Sequence, residues 1–259
     1  MRTPDERVAV LVPDSIRAGH RTRAVIALHG RGESLKAPAD GALGWPHDYV
    51  LTRSYERIAN PPLTRADFEE LVEDAHLAEV NRALAAVPFD GLVVICPYVP
   101  DLDPFDAQKV ADYGTYLTDV VLARARTELP IFSAREATGI DGVSHGGVIA
   151  LLVGLARPDV FGAVGALQPA IRPEKIRQLT TLAKRTKPEA LPKLRLTTSH
   201  DDYFRAAIAE TDASWTAAGI AHEFSDLPGP HDYIFNRGPG GLELLFWQDR
   251  ALTSSRGDE

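Results

Sequence analysis

The pentapeptide Gly142-Val143-Ser144-His145-Gly146, followed by Gly147, is where this sequence could do covalent chemistry. The apolar run Ala137–Asp141 precedes it, and a stretch rich in Ala, Leu, Val and Ile, His145 to Ala156, follows. A serine at a sharp strand-to-helix turn holds its Oγ clear of the sheet's carboxyl edge, where it can attack an acyl carbon. The glycines are needed because such a turn is strained and the strand and helix backbones approach closely. The N–H of the next residue, His145, points where an oxyanion would form. The helix N-terminus adds partial positive charge there. The same letters could serve as a glycine-rich packing turn, but the elements on both sides favour a nucleophile.

A serine in this setting takes a second oxyanion donor from the loop after an earlier strand. Here that loop is His29-Gly30-Arg31-Gly32, after the run Ala24–Leu28. The backbone N–H of Arg31 is the expected donor. His29 precedes the nucleophile in the chain and reads as an organiser of the loop rather than a base.

A hydroxyl is a poor nucleophile until a base removes its proton, and histidine is suited to that task near neutral pH. Where such a turn resembles the nucleophile turn of an α/β hydrolase, the order in the chain is serine, acid, base. His200, His222 and His231 are the histidines far enough beyond Ser144. His222 lies in a strand-like run, and His200 leaves no strand end before it for an acid. His231, in Leu227-Pro228-Gly229-Pro230-His231-Asp232-Tyr233, lies on a loop near the chain end, as the order requires. The acid should hold the imidazole tautomer and stabilise the imidazolium. It belongs to Ser199-His200-Asp201-Asp202-Tyr203-Phe204, where Asp201 and Asp202 compete. The adjacent His200, Asp201 and Asp202 do not make a convincing metal site, since neighbours on one turn cannot easily face one ion.

Positioning these groups takes a sheet. Apolar runs at Val8–Val12, Ala24–Leu28, Leu92–Cys96, Ala137–Asp141, Ala163–Leu167, Leu194–Ser199 and His222–Ser225 alternate with helix-like segments, the pattern of an α/β sheet covered on both faces. Tyr113, Tyr116, Leu117, Val120 and Val121 form one helical stripe, and Phe204, Ala207, Ile208, Thr211 and Trp215 another, with Gly219 as its stop. A last helix is expected over Leu242 to Leu252. Residues 33–89 break the alternation. They open with Pro, Gly and Trp45, then read as one helix from about Ala66 to Val87 with Thr64 as N-cap. A lid, a pocket wall or a packing elaboration would each account for them. Trp45, Tyr49 and Tyr98 could line a pocket or fill core, and Cys96 reads as a buried core thiol.

Composition narrows the class. With 259 residues, 28 basic and 36 acidic side chains give a net charge of −8, which argues against nucleic acid as a partner. One cysteine excludes a disulfide framework or a multi-thiolate metal site. No apolar run approaches the roughly 20 residues of a membrane span. Met1 to Pro13 lacks a signal-peptide layout, so a cytoplasmic protein is the expectation. Phosphate-binding, H-E-x-x-H and strand-linked G-x-G-x-x-G motifs are absent from the sequence.

Taken together, His29 to Gly32, Tyr113 to Leu129 ahead of Pro130, Gly142 to Gly147 and Asp202 to Tyr233 resemble the α/β-hydrolase superfamily. Within it the chain is similar to the putative-esterase (esterase D-like) branch, which includes feruloyl esterases, S-formylglutathione hydrolases and mycolyltransferases. The resemblance spans most of the chain except 33–89. In that branch the acid strand ends in a Gly-x-x-Asp-like turn. Ser199 in the Gly position then puts the acid at Asp202, and Gly219-Ile220 between Asp202 and His231 fits the same register. The resemblance implies a single α/β-hydrolase domain over 1–259, with a mostly parallel sheet and 33–89 as a helical, lid-like insertion. It implies a serine esterase acting on a small-molecule ester or thioester, with catalytic Ser144, Asp202 and His231, an oxyanion hole at Arg31 and His145, and no cofactor. Acyl transfer, thioester release and peptide cleavage use the same triad, and a binding module that kept the fold is a further alternative.

Overall fold

In the computed structural model, residues 8–13 and 20–253 are described. Seven strands form one sheet: β1 Val8–Leu11, β2 Ala24–Leu28, β3 Val93–Pro97, β4 Thr138–Gly142, β5 Ala163–Leu167, β6 Lys193–Asp201 and β7 Glu223–Pro230. Their spatial order is β1-β3-β2-β4-β5-β6-β7, antiparallel at β1–β3 and parallel elsewhere. All seven expected runs are strands, with ends shifted by a few residues. β6 and β7 extend further than their apolar content suggests, because they pair with each other out to Asp201 and Pro230.

The inner strands are buried on both faces, so they lack a polar alternation. Their side chains still alternate between two cores. Ile26, Leu28, Val93 and Ile95 face one core, while Val25, Ala27, Val94 and Cys96 face the other. Cys96 is a buried core thiol, and burial pushes its pKa up.

The helices that matter to the site are α1 Arg31–Ser34, α2 Leu51–Ala59, α3 Asp74–Ala86, α4 Ala107–Thr115, α5 His145–Ala156, α6 Pro173–Arg185, α7 Arg205–Ala217 and α8 Gly241–Ala251. α4 runs on through a wider π turn, Tyr116–Leu122, into a further helical segment, Ala123–Glu128. That widening shifts the register and turns Val120 outward, 54% exposed, although the stripe placed it inside. α5 is buried from His145 to Leu155, as an apolar helix packed on all sides must be. α7 buries Ala207, Ile208, Thr211 and Trp215 and stops at Gly219, whose φ of +69° suits glycine.

Residues 33–89 depart from the expected single helix over Ala66–Val87. Thr64 caps a short 3-10 turn, Arg65–Phe68, through reciprocal contacts with Asp67. Glu69 and Glu70 then take positive φ (51° and 63°), which ends the turn, and α3 starts afresh at Asp74. α2, which sequence reasoning missed, buries Leu51, Ser54 and Ile58. The segment packs Trp45, Tyr49, Ile58, Phe68 and Leu84 onto one sheet face beside Leu244 and Trp247 of α8. Trp45 and Tyr49 are therefore core, whereas Tyr98 remains partly exposed beside an apolar cleft with Tyr113 and Tyr116.

Candidate active site

Ser144 sits between the end of β4 and the first turn of α5, with φ 54° and ψ −116°. A non-glycine residue there stores about 1–3 kcal/mol of strain and persists only if its surroundings fix it. They do: its N–H donates to the Leu167 carbonyl (2.9 Å), and its carbonyl accepts from Val148 (3.1 Å) and Ala170 (2.9 Å). The turn is so tight that a Cβ at Gly146 would lie 2.4 Å from the carbonyl oxygens of Leu28 and His29. A Cβ at Gly142 would lie 2.5 Å from the Gly146 carbonyl oxygen. The two glycines let α5 start hard against the exit of β2.

The long β6–β7 pairing delivers the other two groups. His231 follows the last residue of β7, with Nε2 2.8 Å from Ser144 Oγ and Nδ1 2.7 Å from Asp202 Oδ1. An ionised carboxylate only accepts, so Nδ1 carries the proton and the Nε2 lone pair faces the serine hydroxyl. The Asp202 side chain has no exposure and the imidazole 13%. Asp202 also accepts from Thr198 Oγ1 at its other oxygen (2.9 Å) and from the Phe204 N–H (2.9 Å). Asp201 points to solvent at the end of β6, and His200 is exposed as well. The structure thus puts Asp202 rather than Asp201 behind the imidazole and parts the three neighbours that could have suggested a metal site. His222 is engaged elsewhere, with Asp212 (2.9 Å), the Ile220 carbonyl and the edge of Trp215.

Arg31 and His145 are the first residues of α1 and α5, so their N–H groups have no intrahelical acceptor. Loop 29–32 is pinned by His29, whose Nδ1 lies 2.9 Å from the Gly30 carbonyl and whose Nε2 accepts from the Val99 N–H (2.9 Å). Burial lowers the His29 pKa to about 4, so this imidazole is neutral and acts as an organiser. Arg31 adds a two-pronged ion pair with Asp101, at 2.8 and 2.9 Å.

Two further groups hold the His231 loop, and sequence reasoning missed both. Glu33, buried in α1, accepts from the hydroxyls of Tyr49 and Tyr233, and the Tyr49 oxygen accepts from the Gly30 N–H (3.0 Å). Burial and the neighbouring Glu33 raise the pKa of both phenols, so they stay protonated donors. Gln168 donates to Ser199 and to the Pro230 carbonyl (3.0 Å), next to His231. No motif marks these residues; only the fold brings together positions 33, 49 and 233.

Ser144 opens on a cleft of about 570 Å³, lined also by His145, Arg31, Asp101 to Phe105, Ala170, Arg172, Lys175 and Phe204. None of residues 33–89 lines it. Burial lowers the His145 pKa, and its Nε2 has no partner among the described residues. The arrangement can activate a hydroxyl, hold an oxyanion on two helix-start N–H groups and admit a small acyl compound from solvent. Among the described residues no group of three or more His, Cys, Asp or Glu is arranged to hold a metal, and no helix is long and apolar enough to cross a membrane.

Residues 101–233, which include Ser144, Asp202 and His231, match the family described as Putative esterase. No curated protein is similar enough to match. Among solved structures, the S-formylglutathione hydrolase of Staphylococcus aureus superimposes with a TM-score of 0.62 at 17% identity, over 94% of this chain and 90% of its own. A ferulic acid esterase reaches 0.68 at 15% identity, over 95% and 93%. The ferulic acid esterase of Anaeromyces mucronatus gives 0.58 at 17% identity, over 93% and 83%. At such identities these likenesses establish the fold, that of the α/β hydrolases.

Proposed function

The chain belongs to the putative-esterase family of carboxylic ester hydrolases, and on that premise we propose that it cleaves a small-molecule ester or thioester through an acyl-serine intermediate, with Ser144, His231 and Asp202 as the triad. The observation that carries this reading is the unbroken chain Asp202 Oδ1, His231 Nδ1, His231 Nε2, Ser144 Oγ, at 2.7 and 2.8 Å.

As Ser144 Oγ attacks the acyl carbon, its proton passes to His231 Nε2. Asp202 stabilises the imidazolium and stays ionised. The carbonyl oxygen becomes an oxyanion, held by the N–H groups of Arg31 and His145; one such donor is worth about 10²–10³ in rate. His231 returns the proton to the leaving alcohol or thiol as the tetrahedral intermediate collapses to acyl-Ser144. Water, deprotonated by the same Nε2, then attacks the ester carbon, and Oγ leaves with the proton.

Replacing Ser144 by Ala should lower turnover of 4-nitrophenyl esters by about 10⁴–10⁶ and leave the circular dichroism spectrum and melting temperature in place. A fluorophosphonate should label the parent protein at Ser144 and leave the variant unlabelled. Full activity of Ser144→Ala on every ester tried would refute the mechanism.

A further inference from the structure

The cleft that holds Ser144 carries two cations that the reaction above does not use. Lys175, on the first turn of α6, is only 3% exposed. Its ammonium donates to Gln178 Oε1 (2.7 Å) and lies 4.1 Å from the centre of the Phe105 ring. An ammonium has three N–H donors, and the one hydrogen-bond acceptor it has among the described residues is a neutral amide. Arg172, at the N-cap of α6, is exposed, and its guanidinium carbon lies 5.7 Å from the centre of the same ring. The two charges are therefore within about 10 Å of each other, close enough to repel at ordinary ionic strength.

Neither cation has a carboxylate within ion-pair distance among the described residues. The two acidic groups that line the same cleft differ in their partners. Asp101 is held by Arg31. Asp103 accepts from the Phe105 N–H (2.9 Å) and affects Lys175 only through its field, which opposes the lowering of the lysine pKa by burial. A chain with a net charge of −8 thus lines the cleft that holds Ser144 with two cations outside any ion pair among the described residues, against the single unpaired carboxylate of Asp103. A buried lysine is uncommon without an ionic partner, and a buried charge is costly unless it is paired.

We propose that the substrate of this site is an ester carrying an anionic oxygen group, a carboxylate or phosphate, which seats on Lys175 and Arg172 while its acyl carbon lies at Ser144. The inference rests on the hydrolase reading and adds the substrate class to it. The anion is tested on either side of the scissile bond.

Two pairs of esters test this. The mono-4-nitrophenyl ester of adipic acid against 4-nitrophenyl hexanoate puts the charge in the acid portion, with spontaneous hydrolysis subtracted. The compound 4-acetoxybenzoate against its methyl ester puts it in the alcohol portion. In one pair the anionic ester should have the higher kcat/KM by about 10- to 100-fold, the usual worth of a hydrogen bond to a charged group. Arg172→Gln and Lys175→Met should each reduce that ratio, mainly by raising KM for the anionic ester, and 0.5 M NaCl should reduce it in the parent protein. Lys175→Arg should keep part of it. If Lys175→Met does not fold, Arg172→Gln, altered at an exposed side chain, decides. Neutral-ester turnover and fluorophosphonate labelling of Ser144 without a preference in either pair would overturn the subsite alone, as would a preference that survives Arg172→Gln and high salt. Absence of turnover on every ester, with Ser144 unlabelled, would overturn the hydrolase reading and the subsite with it.

Discussion

Two carboxylates hold the loop that bears His231, and they do different work. Asp202, from the end of β6, touches the imidazole itself. Glu33, from the helix after β2, touches Tyr233 two residues further on, and through Tyr49 it also reaches the Gly30 N–H of the oxyanion loop. Both side chains are shielded from water and both accept hydrogen bonds. The partner makes the difference. An imidazole gains and loses a proton in each proposed cycle, so Asp202 faces a changing charge. Phenols with raised pKa values do not ionise, so Glu33 faces constant donors and can only fix geometry. A buried carboxylate on the His231 loop is therefore not by itself a sign of catalysis; what it faces decides its role.

The sharpest way to break that contrast is Asp202→Asn. Loss of the correct tautomer should lower kcat by about 10⁴ and flatten the pH–rate profile that depends on His231. Glu33→Gln should cost less, about 10- to 100-fold in kcat, as misplacement of a loop does. Here the pH–rate midpoint should stay where it is, because Glu33 touches Tyr49 and Tyr233 rather than the imidazole. A shifted midpoint in Glu33→Gln would abolish the distinction between the two groups.

The comparison extends to the histidines. His29 is neutral and buried, with its pKa at about 4 in place of 6.5. Between those values the unfolded chain takes up a proton that the folded chain does not, so stability falls as pH falls through that window and levels off below about pH 4. The loss should total about 3 kcal/mol, and the lowered pKa of His145 acts in the same direction. Urea unfolding at pH 7 and pH 4.5 should show the drop, and His29→Asn should show a smaller one. The mildest change tested is Asp201→Asn: an exposed carboxylate one residue from Asp202 should leave kcat/KM within about twofold. A large loss there would reopen the choice of acid.

How far the sequence could be read follows from the range of the forces involved. The seven strand runs and the start of α5 were legible because burial on a sheet and strain at a turn leave marks within a few residues. The helix over Ala66–Val87 was misread because two glutamates at positive φ break it, and nothing in their side chains requires that conformation. α2 does carry a helical stripe, Leu51, Tyr55 and Ile58, but it is only nine residues long and follows the Pro- and Gly-containing opening of 33–89. A regular helix would put Val120 inside, and the π turn over Tyr116–Leu122 turns it outward. Gln168 and Thr198 carried no motif at all.

The amino-acid order alone determined the strand runs and the turn that presents Ser144, since each depends on neighbours in sequence. Tertiary packing decided which of two adjacent aspartates meets the imidazole, because strand pairing out to Pro230 sets which side of the chain end faces inward. It also decided that Glu33, Tyr49 and Tyr233 share one buried network and that Trp45, Tyr49, Ile58, Phe68 and Leu84 of 33–89 pack on a sheet face. Contacts between residues so far apart in the chain depend on how whole layers of side chains fill space, and no local pattern records that.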